Sequence, residues 1–313
     1  MKQRAVAFAP ASIGNVGVGF DILGLAIENV GDVVTAQRTS TVGVSIREIE
    51  GDNIGHEACK LSTVANENTA SIAAAALWND HGEGGLCLSL KKGTPLGSGM
   101  GSSAASAVAA VVATNALLPT PLEHIELLEY AMQGEAYASG ARHADNVAPS
   151  LLGGLILCPT RNLPSIRELP TPSGLVSVLV HPHCKVNTAD ARQALSTDVS
   201  LPDAVSQMGL VAWLVDACHR RDAADFGRSI VDMIVEPQRA SLVPGFDAVK
   251  AAAIDAGALG CSLSGSGPSV FAIVNKADAD AVCTRMVAAF SDHGLNSNAW
   301  VSDLDAPGAI IIE

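Results

Sequence analysis

The run Pro95-Leu96-Gly97-Ser98-Gly99-Met100-Gly101-Ser102-Ser103-Ala104-Ala105-Ser106 carries the clearest chemical pattern in the chain. Alternating glycines let a backbone turn tightly and bring its N–H groups close to a ligand. The stretch that follows, to Leu118, holds no Gly or Pro and reads as a helix. Those N–H groups would then sit at a helix N-terminus, where unpaired donors and a partial positive charge suit an anion such as phosphate. The serines Ser102 and Ser103 are placed to cap that helix or to help hold a metal ion. A glycine-rich turn ahead of a buried helix is the plainer alternative.

The loop matches neither common nucleotide fingerprint. A Walker loop needs Lys-Ser or Lys-Thr after its last glycine, and Gly101 is followed by Ser102. The dinucleotide pattern needs another glycine spacing and a later acidic residue, where this chain has alanines and valines. Neutralisation of phosphate charge must therefore come from elsewhere, such as Lys91, Lys92 or a magnesium ion.

Other segments keep it company. Pro10-Ala11-Ser12-Ile13-Gly14-Asn15-Val16-Gly17-Val18-Gly19-Phe20-Asp21 sets an amide and a carboxylate among glycines. It reads either as a structural turn or as backbone held close to a ligand. Ile125, Leu128, Ala131, Met132 and Glu135 follow a helical period, which puts Glu135 on an apolar face. Taken alone, Glu135 reads as a carboxylate just past the buried stretch, reaching solvent. Beside a phosphate loop without its lysine, it becomes a candidate magnesium ligand. Gly140 to Pro149 gathers His143, Asp145 and Asn146, and Gly260 to Ser269 is a further glycine-serine turn.

The elements that must position these segments can be read from periodicity. Strands are predicted over Arg4–Ala9 (broken by Pro10), Asp32–Arg38, Val42–Ile49, Leu86–Leu90 and Leu151–Cys158. Helices are predicted over Asn66–Trp78, from Ser102 to Leu118, and from Pro121 to about Ser139. Prolines cluster from Pro159 to Gly174, which suggests a boundary between a domain at 1–158 and another at 159–313. Beyond it come strands at Leu175–His181, Ser269–Val274 and Ala309–Ile312. Helices there are predicted at Asp190–Leu195, Asp203–His219, Asp222–Met233, Phe246–Ala256 and Ala277–Phe290. The class is α+β or α/β.

Composition narrows the function. Hydrophobic residues make up 48% and charged residues 16%, as in a globular protein with an ample core. A net charge of −13 argues against nonspecific binding to nucleic acid or to an anionic membrane. Cys59, Cys87, Cys158, Cys184, Cys218, Cys261 and Cys283 are scattered with no Cys-x-x-Cys pair, which reads as reduced thiols in a cytoplasmic protein without a zinc site. The N-terminus has no apolar core long enough for a signal peptide. No charge occurs from Gly93 to Leu122, but the apolar core Ala107–Leu118 falls short of the roughly 20 residues of a membrane span. It reads as a buried helix.

Together, Gly-Asn-Val-Gly-Val-Gly-Phe-Asp, Pro-Leu-Gly-Ser-Gly-Met-Gly-Ser-Ser-Ala-Ala-Ser and Ser-Leu-Ser-Gly-Ser-Gly-Pro-Ser resemble, in order, the three motifs of the GHMP small-molecule kinases. Within that superfamily the chain is most similar to homoserine kinases. That likeness rests on Val-Gly-Phe-Asp-Ile-Leu-Gly, Arg-His-Ala-Asp-Asn-Val-Ala-Pro, and Glu236-Pro237-Gln238-Arg239 with Leu242-Val243-Pro244-Gly245-Phe246. The resemblance implies an α+β fold with a ribosomal-protein-S5-like N-terminal domain and a ferredoxin-like C-terminal domain. It implies phosphorylation of the L-homoserine hydroxyl by Mg-ATP, on the way to threonine, and members are often homodimers.

By family pattern the loop Pro95 to Ala105 (Pro95, Leu96, Gly97, Ser98, Gly99, Met100, Gly101, Ser102, Ser103, Ala104 and Ala105) holds the ATP phosphates, and Asn68 lies near the nucleotide. A serine of the Ser102-Ser103 pair, with Ser103 preferred, and Glu135 would hold magnesium. Asn15, Asp21, His143 and Asn146 would line the homoserine site, with Arg192 and Arg239 on its carboxylate. Relatives such as mevalonate kinase use an aspartate base about where this chain has Asp145-Asn146. By spacing from Glu135, Asn146 takes that place, and an amide cannot serve as a base. The preferred reading passes the hydroxyl proton to the γ-phosphate, since phosphoryl transfer depends chiefly on positioning and charge. Ser98, His181, His183 and the run His219-Arg220-Arg221 read as surface or structural.

Overall fold

The computed structural model describes residues 2–51, 60–140 and 142–313. Cys59 lies outside the described residues. The chain opens with β1 (Arg4–Gly14), β2 (Leu23–Thr39), β3 (Gly43–Gly51) and β4 (Gly85–Lys92), followed later by β5 (Leu155–Leu157) and β6 (Arg167–Leu169). A second sheet uses β7 (Leu175–Pro182), β8 (Gly260–Leu263), β9 (Val270–Asn275) and β10 (Ser297–Asp303), in the order β10-β7-β9-β8. The last strand, β11 (Ile310–Ile311), returns to pair with β1, so the first sheet runs β11-β1-β2-β4-β3 with β5 on β2 and β6 on β5. Pairing is antiparallel except between β3 and β4.

Three helices, α1 (Thr69–His81), α2 (Ser102–Asn115) and α3 (His124–Ser139), share a core with the first sheet. Every residue of α2 from Ala104 to Asn115 is buried, which is the helix expected from the charge-free stretch. Its alanines give neighbouring backbones room to approach, and its Val108, Val111 and Val112 fill the gaps. The short α4 (Val147–Leu152) closes this layer. The second half adds α5 (Thr188–Gln193), α6 (Leu201–Arg220), α7 (Ala223–Arg228), α8 (Glu236–Arg239), α9 (Phe246–Asp255) and α10 (Ala279–Asp292). Helices α9 and α10 pack on one face of the second sheet. Its other face joins the first sheet through Ile13, Leu25, Ile27, Leu179, Leu214 and Phe271. Among the described residues, no helix is long and apolar enough to cross a membrane.

Several expectations are corrected. Pro10 does not end β1; the strand runs on to Gly14, and the register shifts between Pro10 and Ala11 so that the missing donor falls at a bulge. Helix α3 begins at His124, not Pro121, because the Glu126 carboxylate reaches back to accept the Glu123 N–H at 2.8 Å. The strand expected from Leu151 starts only at Leu155, behind α4 and two left-handed glycines, Gly153 and Gly154. The helix expected to Met233 stops at Arg228. Strands β8 and β10 escaped the sequence reading, β8 because Cys261-Ser262-Leu263 lies inside a glycine-serine turn pattern.

Candidate active site

The glycine loop sits where both sheets meet. Gly97, Gly99 and Gly101 take φ of +63°, +75° and +64°, a region costly for any residue with a Cβ. At Gly99 a Cβ would fall 2.4 Å from the Ser264 carbonyl oxygen, and at Gly101 2.3 Å from Ser12 Oγ. Ser264 belongs to the third motif and Ser12 to the segment Pro10–Asp21 that carries the first. Ser12 N–H donates to the Met100 carbonyl (3.1 Å), Ser264 Oγ to Gly99 (2.6 Å), Ser269 Oγ to Ser98 (2.7 Å), and Gly265 N–H to Gly14 (3.0 Å). Met100 is fully buried in the core between the sheets, which anchors the loop. Three segments far apart in sequence thus form one backbone cradle around the start of α2.

The cradle borders a cleft of about 660 Å³, lined among others by Asn15, Asp21, Gly99, Ser103, Glu135 and Arg239. Pro95, Met100, Ala104 and Ala105 do not line it; they are buried in the supporting structure. Ser98 is also buried, and its Oγ accepts the Met100 N–H at 3.3 Å.

The expectation that Lys91 or Lys92 neutralises phosphate charge is corrected. Lys91 is exposed and does not line the cleft. Lys92 is 1% exposed and ion-paired with Asp32, and it also donates to the Ser102 carbonyl (2.8 Å) and Ser106 Oγ (2.9 Å). Asp32 accepts the N–H groups of Gly93 and Thr94, both at 3.1 Å. This buried pair balances its own charge and ties β2 and β4 to the start of α2. Lys92 borders the cleft with its charge taken up by Asp32; Lys185 also lines the cleft, beside Gly97, where Val186 N–H donates to the Gly97 carbonyl at 3.3 Å. No motif marks Lys185 in the sequence, where it follows the last residues of β7.

The two serines separate clearly. Ser102 Oγ donates to the Thr94 carbonyl at 3.1 Å, whereas Ser103 Oγ donates to Glu135 at 2.6 Å. Glu135 is 8% exposed, which corrects its reading as a solvent-reaching carboxylate. Asn68 lines the cleft, but its side chain caps α1, accepting the Ala70 N–H and donating to the Ser62 carbonyl, each at 3.0 Å.

At the other end, Asp21 and Arg192 form a two-point pair at 2.9 and 3.1 Å. Asp21 stands in a left-handed conformation (φ +59°), fixed by its N–H donating to Asn15 Oδ1 at 3.1 Å, while Asn15 Nδ2 donates to the Gly265 carbonyl. His143 lies 3.2 Å from the Arg192 guanidinium, and burial, then the Arg192 charge, pulls its pKa down against the pull of Asp21. Arg239 is 3% exposed and donates to the carbonyls of Ala191 (3.0 Å) and Gly265 (3.2 Å). Burial, reinforced by Arg192, lowers its pKa.

Asn146 faces the cleft with its Oδ1 accepting from Ser12 Oγ at 2.9 Å, and its Nδ2 donates to Asp145 at 3.3 Å. Asp145 is buried, and its pKa is pushed up to about 7, chiefly by burial, with Asp21 and Glu135 adding to it. A raised pKa in the fold gives stability that is fully present below the ordinary value of 3.8 and lost as pH rises to about 7. Asp145→Asn stays neutral. Its melting temperature is therefore expected to gain several degrees on the wild type between about pH 4 and pH 7 and then hold level; thermal melts across pH check this. A constant difference would contradict it.

His181 is buried with its Nδ1 3.1 Å from Ser269 Oγ, and burial pulls its pKa down to about 4; His183 is exposed. Both lie outside the cleft lining. Among the described residues no group of three His, Cys, Asp or Glu side chains gathers as a metal cluster.

The family model for the GHMP kinases N terminal domain matches residues 68–154, and that for GHMP kinases C terminal matches 214–292. The fold is that of a GHMP kinase. The chain is 43% identical to homoserine kinase from Xylella fastidiosa (strain M12) over 99% of its own length and 94% of the relative's. It is 44% identical to homoserine kinase from Chlorobium phaeovibrioides, over 97% and 98%. The crystal structure of homoserine kinase from Cytophaga hutchinsonii superposes with a TM-score of 0.94 at 43% identity, covering 100% of this chain and 98% of that one. The chain belongs to the homoserine kinase family.

Proposed function

We propose that this protein transfers the γ-phosphoryl group of ATP to the side-chain hydroxyl of L-homoserine, giving O-phospho-L-homoserine and ADP for threonine synthesis. The observation that carries the reading is the two-ended cleft. One end has the glycine cradle with Ser103 on Glu135; the other has Asp21, Arg192 and Arg239. An α-amino acid brings one positive and one negative group, and that end offers one carboxylate and two guanidiniums to meet them.

The roles follow from position. Backbone N–H groups of the loop and the start of α2 receive the phosphates. Ser103 and Glu135 offer oxygen donors of the kind magnesium prefers, and their closeness supports a shared ion. When bound, magnesium would neutralise charge between the β- and γ-phosphates. Asp21 takes the ammonium, and Asn15 holds Asp21 in place through its N–H. Arg192 and Arg239 take the carboxylate by charged hydrogen bonds. Asn146, steadied by Ser12, orients the hydroxyl. The homoserine oxygen bonds to the γ-phosphorus, the bond to the β-γ bridging oxygen breaks, and the hydroxyl proton passes to a γ-phosphoryl oxygen. Asp145 borders the cleft but is nearly buried and accepts from Asn146 Nδ2, and in this reading it steadies Asn146 rather than taking the proton, so folded Asp145→Asn keeps turnover within about tenfold of wild type. A loss of several orders of magnitude with homoserine binding unchanged would make Asp145 the base.

An assay of ADP release with homoserine, mevalonate, shikimate and galactose tests the whole reading. Turnover confined to homoserine supports it, turnover of another alcohol leaves only the GHMP kinase class, and none with any substrate removes the kinase reading.

A homodimer and a cytoplasmic location, where ATP is available, belong to the same proposal. Support for the dimer comes from α6, which exposes Leu201 (75%), Val205 (55%) and Met208 (61%). The stretch Ala204–Val215 is uncharged in a chain of net charge −13, so two like-charged copies can meet there. Light scattering should give twice the chain mass, and Met208→Asp should return the mass of one chain. We also propose that the boundary between domains falls after β6 rather than at 158/159, because β6 still pairs with β5 in the first sheet and β7 opens the second; the family models, which end at 154 and resume at 214, allow it.

A further inference from the structure

Two cations in the homoserine end of the cleft converge on one aromatic ring. The Arg192 guanidinium carbon lies 5.2 Å from the centre of the Phe20 ring, and that of Arg239 lies 5.3 Å from it. The three residues come from separate places: Phe20 from the turn after β1, Arg192 from α5 and Arg239 from α8. Phe20 is half-buried and lines the cleft.

Like charges brought this close repel, and Arg192 contributes to the lowered pKa of Arg239. Each guanidinium has its own anchor: Arg192 on Asp21, and Arg239 on the carbonyls of Ala191 and Gly265. Neither anchor acts on both. The negative face of an aromatic ring attracts a cation within about 6 Å of its centre, and the attraction grows as water is excluded. Phe20 satisfies that condition for both arginines. Its backbone is held by the same turn that fixes Asp21, so ring, carboxylate and guanidiniums keep one geometry.

We infer that Phe20 is a positioning residue for substrate selection: its ring holds Arg192 and Arg239 at the spacing at which both face one carboxylate. The inference rests on the proposed reading that these arginines bind the homoserine carboxylate. It adds a residue with no polar atom to the recognition of a charged group.

Phe20→Leu removes the π-face and keeps an apolar side chain, while Phe20→Tyr keeps both. The Leu variant is expected to raise the homoserine KM about tenfold, with kcat and the ATP KM within about twofold of wild type. The Tyr variant is expected to stay within about twofold of wild type on all three. Unchanged ATP KM reports that the Leu variant is folded. A merely structural role would move kcat and both KM values together, and that outcome overturns the inference; so does a Tyr variant as impaired as the Leu variant. Arg239→Ala separates the two levels of the reading. If it raises the homoserine KM while Phe20→Leu does not, the role of Phe20 falls and carboxylate binding stands. If neither variant changes the homoserine KM, both fall.

Discussion

Glu135→Gln is expected to lower kcat by on the order of a hundredfold to a thousandfold with little change in fold. Glu135 is almost completely buried, and Ser103 Oγ donates to it at 2.6 Å beside the start of α2. Glutamine keeps the volume and can still accept that hydrogen bond, so packing survives. What it loses is the negative charge that would hold a divalent cation between the phosphates. The measurement is kcat against magnesium concentration: the variant should need much more magnesium and still not reach wild-type turnover. Ser103→Ala should shift the magnesium dependence in the same direction. Wild-type turnover of Glu135→Gln at limiting magnesium would take Glu135 out of the metal site.

Arg239→Ala is expected to raise the homoserine KM about tenfold or more while the ATP KM stays nearly constant. Each charged hydrogen bond lost costs roughly 1.5–3 kcal/mol. The arginine is 3% exposed, and its removal also leaves the Ala191 and Gly265 carbonyls without that donor, so the variant should melt earlier. Arg239→Lys keeps charge in the pocket but loses the forked donor geometry, and should fall between wild type and Ala. Steady-state kinetics with each substrate varied in turn separates the effects. An equal rise in both KM values would mean that Arg239 shapes the cleft as a whole.

The local chemistry was legible in the sequence wherever it depended on short-range order. Alternating glycines let the backbone turn tightly, and the structure uses that freedom in left-handed conformations at positions 97, 99 and 101. The charge-free alanine run demanded a buried helix, and α2 is one. Helical spacing put Glu135 on the inner face of α3, although the same spacing left its depth open. Legibility failed where a partner lay far away. Lys92 looked available for phosphate because Asp32, 60 residues earlier, is brought against it only by the pairing of β2 with β4. Nothing in the sequence tells that Arg192 is also paired with Asp21, which the fold brings to it from 171 residues away.

Strand ends were misread for a related reason. Pro10 removes a donor, and period alone cannot tell that a register shift will absorb the loss. What the sequence by itself determined were the glycine-rich turn, the buried helix that follows it, and a set of residue types able to meet phosphate, a metal or a zwitterion. These follow from φ/ψ preferences and from side-chain chemistry, which each residue carries with it. Tertiary structure alone decided that Ser103 rather than Ser102 meets Glu135, that Lys92 is neutralised, and that Phe20 lies under both arginines. Those outcomes depend on which distant segments share a low-dielectric interior, where a charge or donor settles on whatever partner the packing brings within reach.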